Sequence, residues 1–67
     1  MKTILKRKPW STHPDDHYLE IVLAEVDWGY HPYVTWGLNK SRKEGEFFFE
    51  GHYFETFEEA EQDFERR

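Results

Sequence analysis

The stretch that most constrains this chain is "EGEFFFEGHYF", Glu44 to Phe54, in which three phenylalanines stand side by side. Because successive side chains of a β-strand point to opposite faces, a strand through Phe47, Phe48 and Phe49 places apolar bulk on both faces of a sheet. One covering layer shelters one face only. The rest of the chain must therefore supply a second cover, or an apolar face is left for a partner.

The composition predicts one small folded domain. At 67 residues the chain lies near the lower size limit for a single core, and without cysteine it has no disulfides, thiolate catalysis or cysteine-based zinc sites. Its mean hydropathy of -0.98 is typical of disordered chains. Its 19% aromatic content is not, because disordered segments are poor in aromatic residues.

The last thirteen residues, "ETFEEAEQDFERR", carry the signals of a helix. Thr56 followed three residues later by Glu59 is a capping box, which satisfies free amide groups at a helix start. Apolar residues then recur at helical spacing at Phe57, Ala60 and Phe64. A helix this short is not stable alone, so this stripe must pack against the rest of the chain.

Two strand-like segments precede the helix, at Tyr33–Leu38 and Glu46–Phe54. The polar residues between them, "NKSRKEG", end in Gly45 and predict a hairpin loop with antiparallel pairing. The loop is too long to fix the register. Either Val34, Trp36 and Leu38, or Tyr33 and Thr35, share a face with Phe47 and Phe49.

Residues 18–26, "YLEIVLAEV", fit a strand or a helix. We favour the strand, because the segment contains β-branched residues and the short link "DWGYHP" suits a turn into the next strand. A helix here would itself cover the second face of the sheet. Residues 1–12 are predicted to be a basic N-terminal arm, although the first ten also fit a short extra strand around Thr3–Leu5.

The fold expected is therefore α+β: a three-stranded antiparallel β-meander followed by a C-terminal α-helix packed on one face, in a single domain over residues 13–67. With Phe47, Phe49 and Tyr53 under the helix, Phe48 and Phe54 point away from it. Burial of an aromatic side chain contributes about 1.5–3 kcal/mol, so that second face needs a cover. The candidates are Ile4, Leu5 and Trp10 folding back, a second copy of the chain, or another protein.

These considerations predict a non-enzymatic protein-binding module that uses an aromatic sheet face, with another protein or a homodimer as partner. The side chains expected to form the protein-binding site are Trp28, Tyr30, Trp36, Phe48 and Phe54.

The alternative is a nucleic-acid-binding domain. Basic residues are concentrated in the N-terminal arm and in the hairpin loop, where they would grip phosphates while aromatic rings stack on bases. The net charge of -5 opposes this function, since it repels a polyanion. The residues nominated for it are Lys6, Arg7, Lys8, Lys40, Arg42 and Lys43.

The histidines and carboxylates form no recognisable catalytic or metal-binding pattern in the sequence. "HPDDH", His13 to His17, contains metal-ligand types, but the two histidines face one way only in a helix, which Pro14 disfavours. His31 and His52 lie beside aromatic residues and have no evident nucleophile or orienting partner in the sequence. We expect no catalytic residues, no metal and no cofactor.

The junction of the last strand and the helix, "GHYFETFEEA", resembles that of the plant AP2 and phage integrase arm-binding type of DNA-binding domain, in which a strand ends in G-x-F-x-T-x-E-E-A. The glycine spacing is one residue too long here, and the resemblance covers the last third of the chain. It implies a three-stranded sheet followed by a helix. That family reads DNA with arginines and tryptophans on its sheet, and the strand here lacks arginine, so the resemblance implies topology rather than DNA binding. The matching residues are Gly51, Phe54, Thr56, Glu58, Glu59 and Ala60.

"HPYVTW" and "GHYF" are also weakly similar to small proteins of phages and mobile elements of Gram-positive bacteria. Residues 1–10 contain a basic run but no apolar stretch of signal-peptide length, and no segment of the sequence is long enough to span a bilayer. A cytoplasmic location is therefore expected.

Overall fold

A computed structural model describes residues 1–41, 45 and 47–67. It contains four strands, β1 (Lys2–Pro9), β2 (Leu19–Val26), β3 (Tyr33–Asn39) and β4 (Phe47–Phe54), followed by the helix α1 (Phe57–Arg66). A single 3-10 turn, Pro14–Asp16, lies between β1 and β2. The strands form one antiparallel sheet in the order β1-β2-β3-β4, so the fold is α+β with a four-stranded meander.

The prediction of three strands was wrong by one. Residues 2–9, which lie in the segment expected to be an arm, pair with β2 from Lys2 opposite Val26 to Pro9 opposite Glu20. The basic residues hid this strand, because alternation of basic side chains with few apolar ones gives little strand signal. The strand interpretation of residues 18–26 is confirmed by β2, which lies in the interior of the sheet and has long apolar runs because both of its faces are covered.

The helix begins and ends as its sequence signals predict. The Thr56 hydroxyl oxygen accepts a hydrogen bond from the Glu59 amide, 3.2 Å away, and the Thr56 hydroxyl group donates to the Glu59 carboxylate at 3.0 Å. Ala60 and Phe64 are buried against Ile21 and Leu23 of β2, with Tyr33, Phe54 and Phe57 packed around them. We call the sheet surface under α1 the helix face and the opposite surface the far face.

A β-bulge in β4 decides which aromatic side chains reach the helix. Thr35 of β3 lies opposite His52, and Gly37 lies opposite Phe49, so the single residue Trp36 faces both Glu50 and Gly51. Glu50 has a positive φ of 53°, the conformation that glycine adopts at such bulges. The extra residue shifts the alternation of side chains by one along the second half of the strand.

The bulge corrects the expected arrangement of β4 side chains. Phe54 was expected to point away from the helix and Tyr53 towards it. Phe54 instead packs in the helix-face cluster, and Tyr53 contacts Trp36 on the far face, with ring centroids 6.2 Å apart. Phe48 also lies on the far face, 5.0 Å from Trp36.

The far face is covered by the sheet itself. Lys2 and Phe48 lie on the two edge strands, about 14 Å apart across the strands of a flat sheet. Here the Lys2 ammonium lies 3.8 Å from the centroid of the Phe48 ring and 5.9 Å from that of Trp36. The twist of the strands therefore coils the sheet until its edges approach over Trp36, which is only 9% exposed. The buried residues of this far-face cluster are Val22, Ala24, Val26, Val34, Trp36 and Leu38, with Ile4 and Phe48 packed against them.

The part of the helix face beyond α1 is covered by aromatic rings. The Phe49 ring lies directly over Gly37, where an added Cβ would stand 2.5 Å from two ring carbons. Trp10, in the connection after β1, packs on Phe49 with centroids 5.6 Å apart, and Phe47 stacks on Phe49 at 6.1 Å. The absence of a side chain at Gly37 therefore lets the Phe49 ring, and with it Trp10 and Phe47, pack closely on the sheet.

We predict that Gly37→Ala lowers the free energy of unfolding by about 1–3 kcal/mol, because the new methyl group displaces the Phe49 ring. Urea denaturation measures the change. The matched control is a double-mutant cycle with Phe49→Ala, in which the alanine at position 37 costs little once the ring is gone. Equal costs of Gly37→Ala in the two backgrounds would contradict this contact.

Candidate functional site

β4 is an edge strand, bonded to β3 on one side. The backbone alternation shows which of its residues face outward. The Lys40 amide donates to the Tyr18 carbonyl and the Val26 amide to the Pro32 carbonyl, so even-numbered residues of the β3 segment bond to β2. Odd-numbered residues of β3 therefore bond to β4, and the amide and carbonyl groups of Phe48 and Tyr53 point to the outer edge.

Aromatic side chains flank this edge on both sheet faces. On the far face Tyr53 is 47% exposed and Phe48 is half-buried. On the helix face Phe47 is 45% exposed, and it joins Trp10 and Phe49 in one aromatic group. The eight residues of β4, FFFEGHYF, include five aromatic rings and no lysine, arginine or proline. A partner strand bonded to this edge would find apolar contacts on both sides.

The opposite edge, β1, is built differently. Its sequence, KTILKRKP, carries four basic residues and ends in proline. A bulge at Leu5 interrupts its pairing with β2 between Ile4 and Lys6. Charged side chains, bulges and proline all hinder an edge strand from pairing with another chain; of these, β4 has a bulge and one glutamate but no lysine, arginine or proline. The two edges of this sheet therefore differ in their capacity to accept another strand.

The five residues predicted to form a protein-binding face do not share one surface. Trp28 and Tyr30 are exposed in the β2–β3 turn, with Tyr30 97% exposed. Trp36 lies inside the far-face cluster, and Phe54 lies on the helix face. The structure brings together Trp36 and Phe48, and it adds Tyr53 next to them. Tyr53 could not be assigned to this position from sequence, because the bulge that places it there has glutamate where glycine is usual.

Basic residues of β1 nominated for nucleic-acid binding make intramolecular contacts. The Lys6 ammonium donates to the Glu61 carboxylate at 2.9 Å and lies 3.6 Å from that of Glu65. These hydrogen bonds and charges raise the pKa of Lys6, the hydrogen bond from Lys6 to Glu61 being the main cause. The Lys8 ammonium lies 4.8 Å from the centroid of the Phe64 ring. Both lysines thus bind α1 to the edge of the sheet.

Arg7 and Lys40 share one partner, Glu20 of β2. The Arg7 guanidinium lies 2.6 Å from one Glu20 carboxylate oxygen, and the Lys40 ammonium lies 3.1 Å from the other. Burial raises the pKa of the Glu20 carboxyl, but the hydrogen bonds and charges of the two bases outweigh burial and hold that pKa below its usual value. The other two nominated residues, Arg42 and Lys43, lie outside the described residues.

A polar network joins α1 to the centre of the sheet. The Asp63 carboxylate accepts a hydrogen bond of 2.5 Å from the Thr35 hydroxyl and lies 2.9 Å from Nδ1 of His52. The Arg67 guanidinium donates to the Thr35 hydroxyl oxygen at 3.2 Å and to the carbonyl oxygen of Glu50, in the bulge, at 2.9 Å. His52 thus has an orienting carboxylate, which sequence spacing did not reveal.

This network contains a histidine–carboxylate pair, but no hydroxyl group in it is positioned to act as a nucleophile. The Thr35 hydroxyl is fully buried and contacts the carboxylate of Asp63 rather than the ring of His52, so it is not placed as a nucleophile. Burial raises the pKa of the Asp63 carboxyl. The hydrogen bonds from Thr35 and His52, and then the charges of His52 and Arg67, outweigh burial and hold that pKa below its usual value.

We predict that Asp63→Asn lowers the free energy of unfolding at pH 7 by about 1–3 kcal/mol, because it removes a charged hydrogen-bond acceptor. A lowered pKa in the folded state stabilises the protein above the unfolded value of 3.8, and this contribution is lost as the pH falls through the folded pKa. The wild-type protein should therefore lose more stability than the variant below about pH 4. Urea titrations between about pH 3 and pH 7 measure both effects.

The matched control is Glu25→Gln, which removes one negative charge at an exposed position of β2. This variant should keep the acid dependence of the wild-type protein. Parallel stability–pH curves for Asp63→Asn and the wild-type protein would contradict the assigned role of Asp63.

The HPDDH segment forms a local turn. The His13 Nδ1 accepts a hydrogen bond of 3.1 Å from the Asp15 amide, and this bond caps the 3-10 turn. Within residues 1–41, 45 and 47–67, no group of three or more histidine, cysteine, aspartate or glutamate side chains is placed to hold a metal ion. Over the same part of the chain, no helix has the length and apolar character needed to cross a membrane.

Comparison of the chain with models of known families, with curated proteins and with solved structures gives no match. The resemblance of the strand–helix junction to the integrase arm-binding type therefore stays a prediction.

Proposed function

We propose that this chain is a non-enzymatic protein-binding module, and that its site is the outer edge of β4 together with the aromatic side chains beside it. We call this site the β4 edge and define it by Phe47, Phe48, Phe49, Tyr53 and Trp10. The observation that carries the proposal is the contrast between a protected edge at β1 and an aromatic edge without basic residues or proline at β4.

The binding mode that this geometry favours is strand addition. The outward amide and carbonyl groups of Phe48 and Tyr53 supply main-chain hydrogen bonds, and the flanking rings supply apolar contacts to alternate side chains of the added strand. Aromatic rings bury large areas at low cost in side-chain entropy, which is why they dominate the energetics of interfaces. The predicted aromatic face is thus replaced by an aromatic edge, because the coiled sheet buries Trp36.

We predict that Tyr53→Lys weakens binding of linear peptides by at least about tenfold, since a charged side chain replaces an exposed ring at the docking edge. The peptides come from a display library of random ten-residue sequences selected on the immobilised wild-type protein. Surface plasmon resonance compares the selected peptides on the wild-type protein and the variant.

The matched control is Leu5→Lys, which places a lysine at the other edge, where Leu5 is 40% exposed. It should bind the selected peptides as the wild-type protein does, and circular dichroism should show that both variants are folded. Equal binding by Tyr53→Lys, or a selection that enriches no peptide, would contradict the proposal.

Nucleic acid is the second candidate partner. The ion pairs of Lys6, Arg7 and Lys40 disfavour phosphate binding by these residues. These cations already contact carboxylates of the same chain. We therefore predict that the protein is not retained on heparin resin at about 50 mM salt, whereas phosphate-binding proteins are retained and elute as salt rises. Retention that falls steeply between low and moderate salt would favour the nucleic-acid function instead.

The setting we propose for the protein partner is the cytosol, in agreement with the absence of cysteine.

A further inference from the structure

We propose that the β4 edge binds an extended segment of another protein in which apolar side chains alternate with lysine or arginine. This inference rests on the proposed function and adds the chemistry of the partner. It follows from the charges beside the edge and from the different character of the two faces on which the side chains of an added strand would lie.

Half of the fourteen acidic residues of the chain lie in β4, in α1 and in the short junction between them. Residues 47–65 contain seven carboxylates and no lysine or arginine. Lys6 contacts Glu61 and Glu65, and Asp63 belongs to the network with Thr35 and His52. Glu50 and Glu55, which lie along and just after β4, have side chains 68% and 75% exposed. These two carboxylates are therefore available to cations of a partner.

Glu50 and Glu55 each form one long ion-pair contact within this chain. The Glu50 carboxylate lies 3.7 Å from the Arg67 guanidinium, whose closer contacts are the Glu50 carbonyl and the Thr35 hydroxyl. The Glu55 carboxylate lies 4.0 Å from Nδ1 of His31. Neither distance is that of a hydrogen bond, so both carboxylates retain the capacity to accept one from an added cation.

The alternating pattern follows from the two faces of β4. Glu50 lies on the helix face, where it lines a cleft of about 320 Å³ with Trp10, Ile21 and Arg67. On the far face an added strand meets the rings of Phe48 and Tyr53. Because successive side chains of that strand point to opposite faces, those on the helix face would lie near Glu50 as well as Phe49, and those on the far face would lie beside Phe48 and Tyr53. A basic residue therefore fits the helix face next to Glu50, and apolar residues fit the far face.

A second copy of this chain fits the edge less well. Antiparallel self-pairing that matches Phe48 with Tyr53 of another copy places both Glu50 side chains next to the two-fold axis. Like charges at such positions are destabilising, and each copy carries a net charge of -5. A basic segment has the opposite charge and meets no such repulsion.

The experiment uses three blocked nine-residue peptides in which valine alternates with lysine, serine or glutamate. Each peptide is titrated into the isotope-labelled chain, and NMR chemical shifts report both the affinity and the site. We expect the lysine peptide to bind about tenfold tighter than the serine peptide, the effect of two exposed ion pairs, and the glutamate peptide to bind weakest. The affected amides should include Phe48 and Tyr53, and the preference should shrink at high salt.

The double variant Glu50→Gln/Glu55→Gln separates charge from strand addition. It should reduce the preference for lysine over serine to less than about threefold, while both peptides still shift the amides of Phe48 and Tyr53. Tyr53→Lys should weaken the binding of every peptide.

Several results would overturn the inference. Equal affinity of the three peptides for the β4 edge would reject a basic partner while leaving strand addition in place. Binding of the lysine peptide to the outer surface of α1, or no binding at the β4 edge by any peptide, would reject this partner chemistry, and the display selection would still decide the proposed function. Sedimentation at twice the 8.3 kDa chain mass, with the β4 amides protected, would show that the occupant is a second copy.

Discussion

The bulge opposite Trp36 sets the sheet face on which each aromatic side chain in the second half of β4 lies. Two residues, Glu50 and Gly51, face this one tryptophan, and the shift in side-chain alternation sends Phe54 to the helix and Tyr53 to the far face. Gly51 permits it, because an added Cβ would stand 2.7 Å from the Trp36 indole nitrogen. The Glu50 carbonyl oxygen accepts a hydrogen bond from the Arg67 guanidinium, and this bond connects the end of α1 to the bulge.

The coil of the sheet changes where a partner can bind. One ten-residue helix covers part of one face, and the flat sheet implied by the sequence would expose the other face. The observed sheet coils until Lys2 lies over Phe48, so the far face is covered by its own edges. The Trp10–Phe49 contact covers the remainder of the helix face. With both faces covered, the edge of β4 is the docking surface that we propose, because it combines outward backbone groups with exposed aromatic rings.

Charge plays two roles in this small protein. Inside the chain, Lys6 of β1 pairs with Glu61 of α1 and Arg7 pairs with Glu20 of β2. Beside β4, carboxylates with weak internal contacts supply a negative field at the proposed docking edge. The segregation of bases and acids that is visible in the sequence therefore serves stability at one edge of the sheet and, in our proposal, recognition at the other.

The elements whose signals are local follow from the sequence: the capped helix with its stripe at Ala60 and Phe64, and the antiparallel pair of strands before it. These depend on hydrogen bonds and side-chain periodicity within a few residues. Residues 18–26 fitted a strand or a helix, and their pairing in the sheet made them a strand. Only the tertiary structure decided the fourth strand, the face of Phe54, the burial of Trp36 and the partner of His52. Each of these depends on register, twist or contacts between distant residues, which no local pattern encodes.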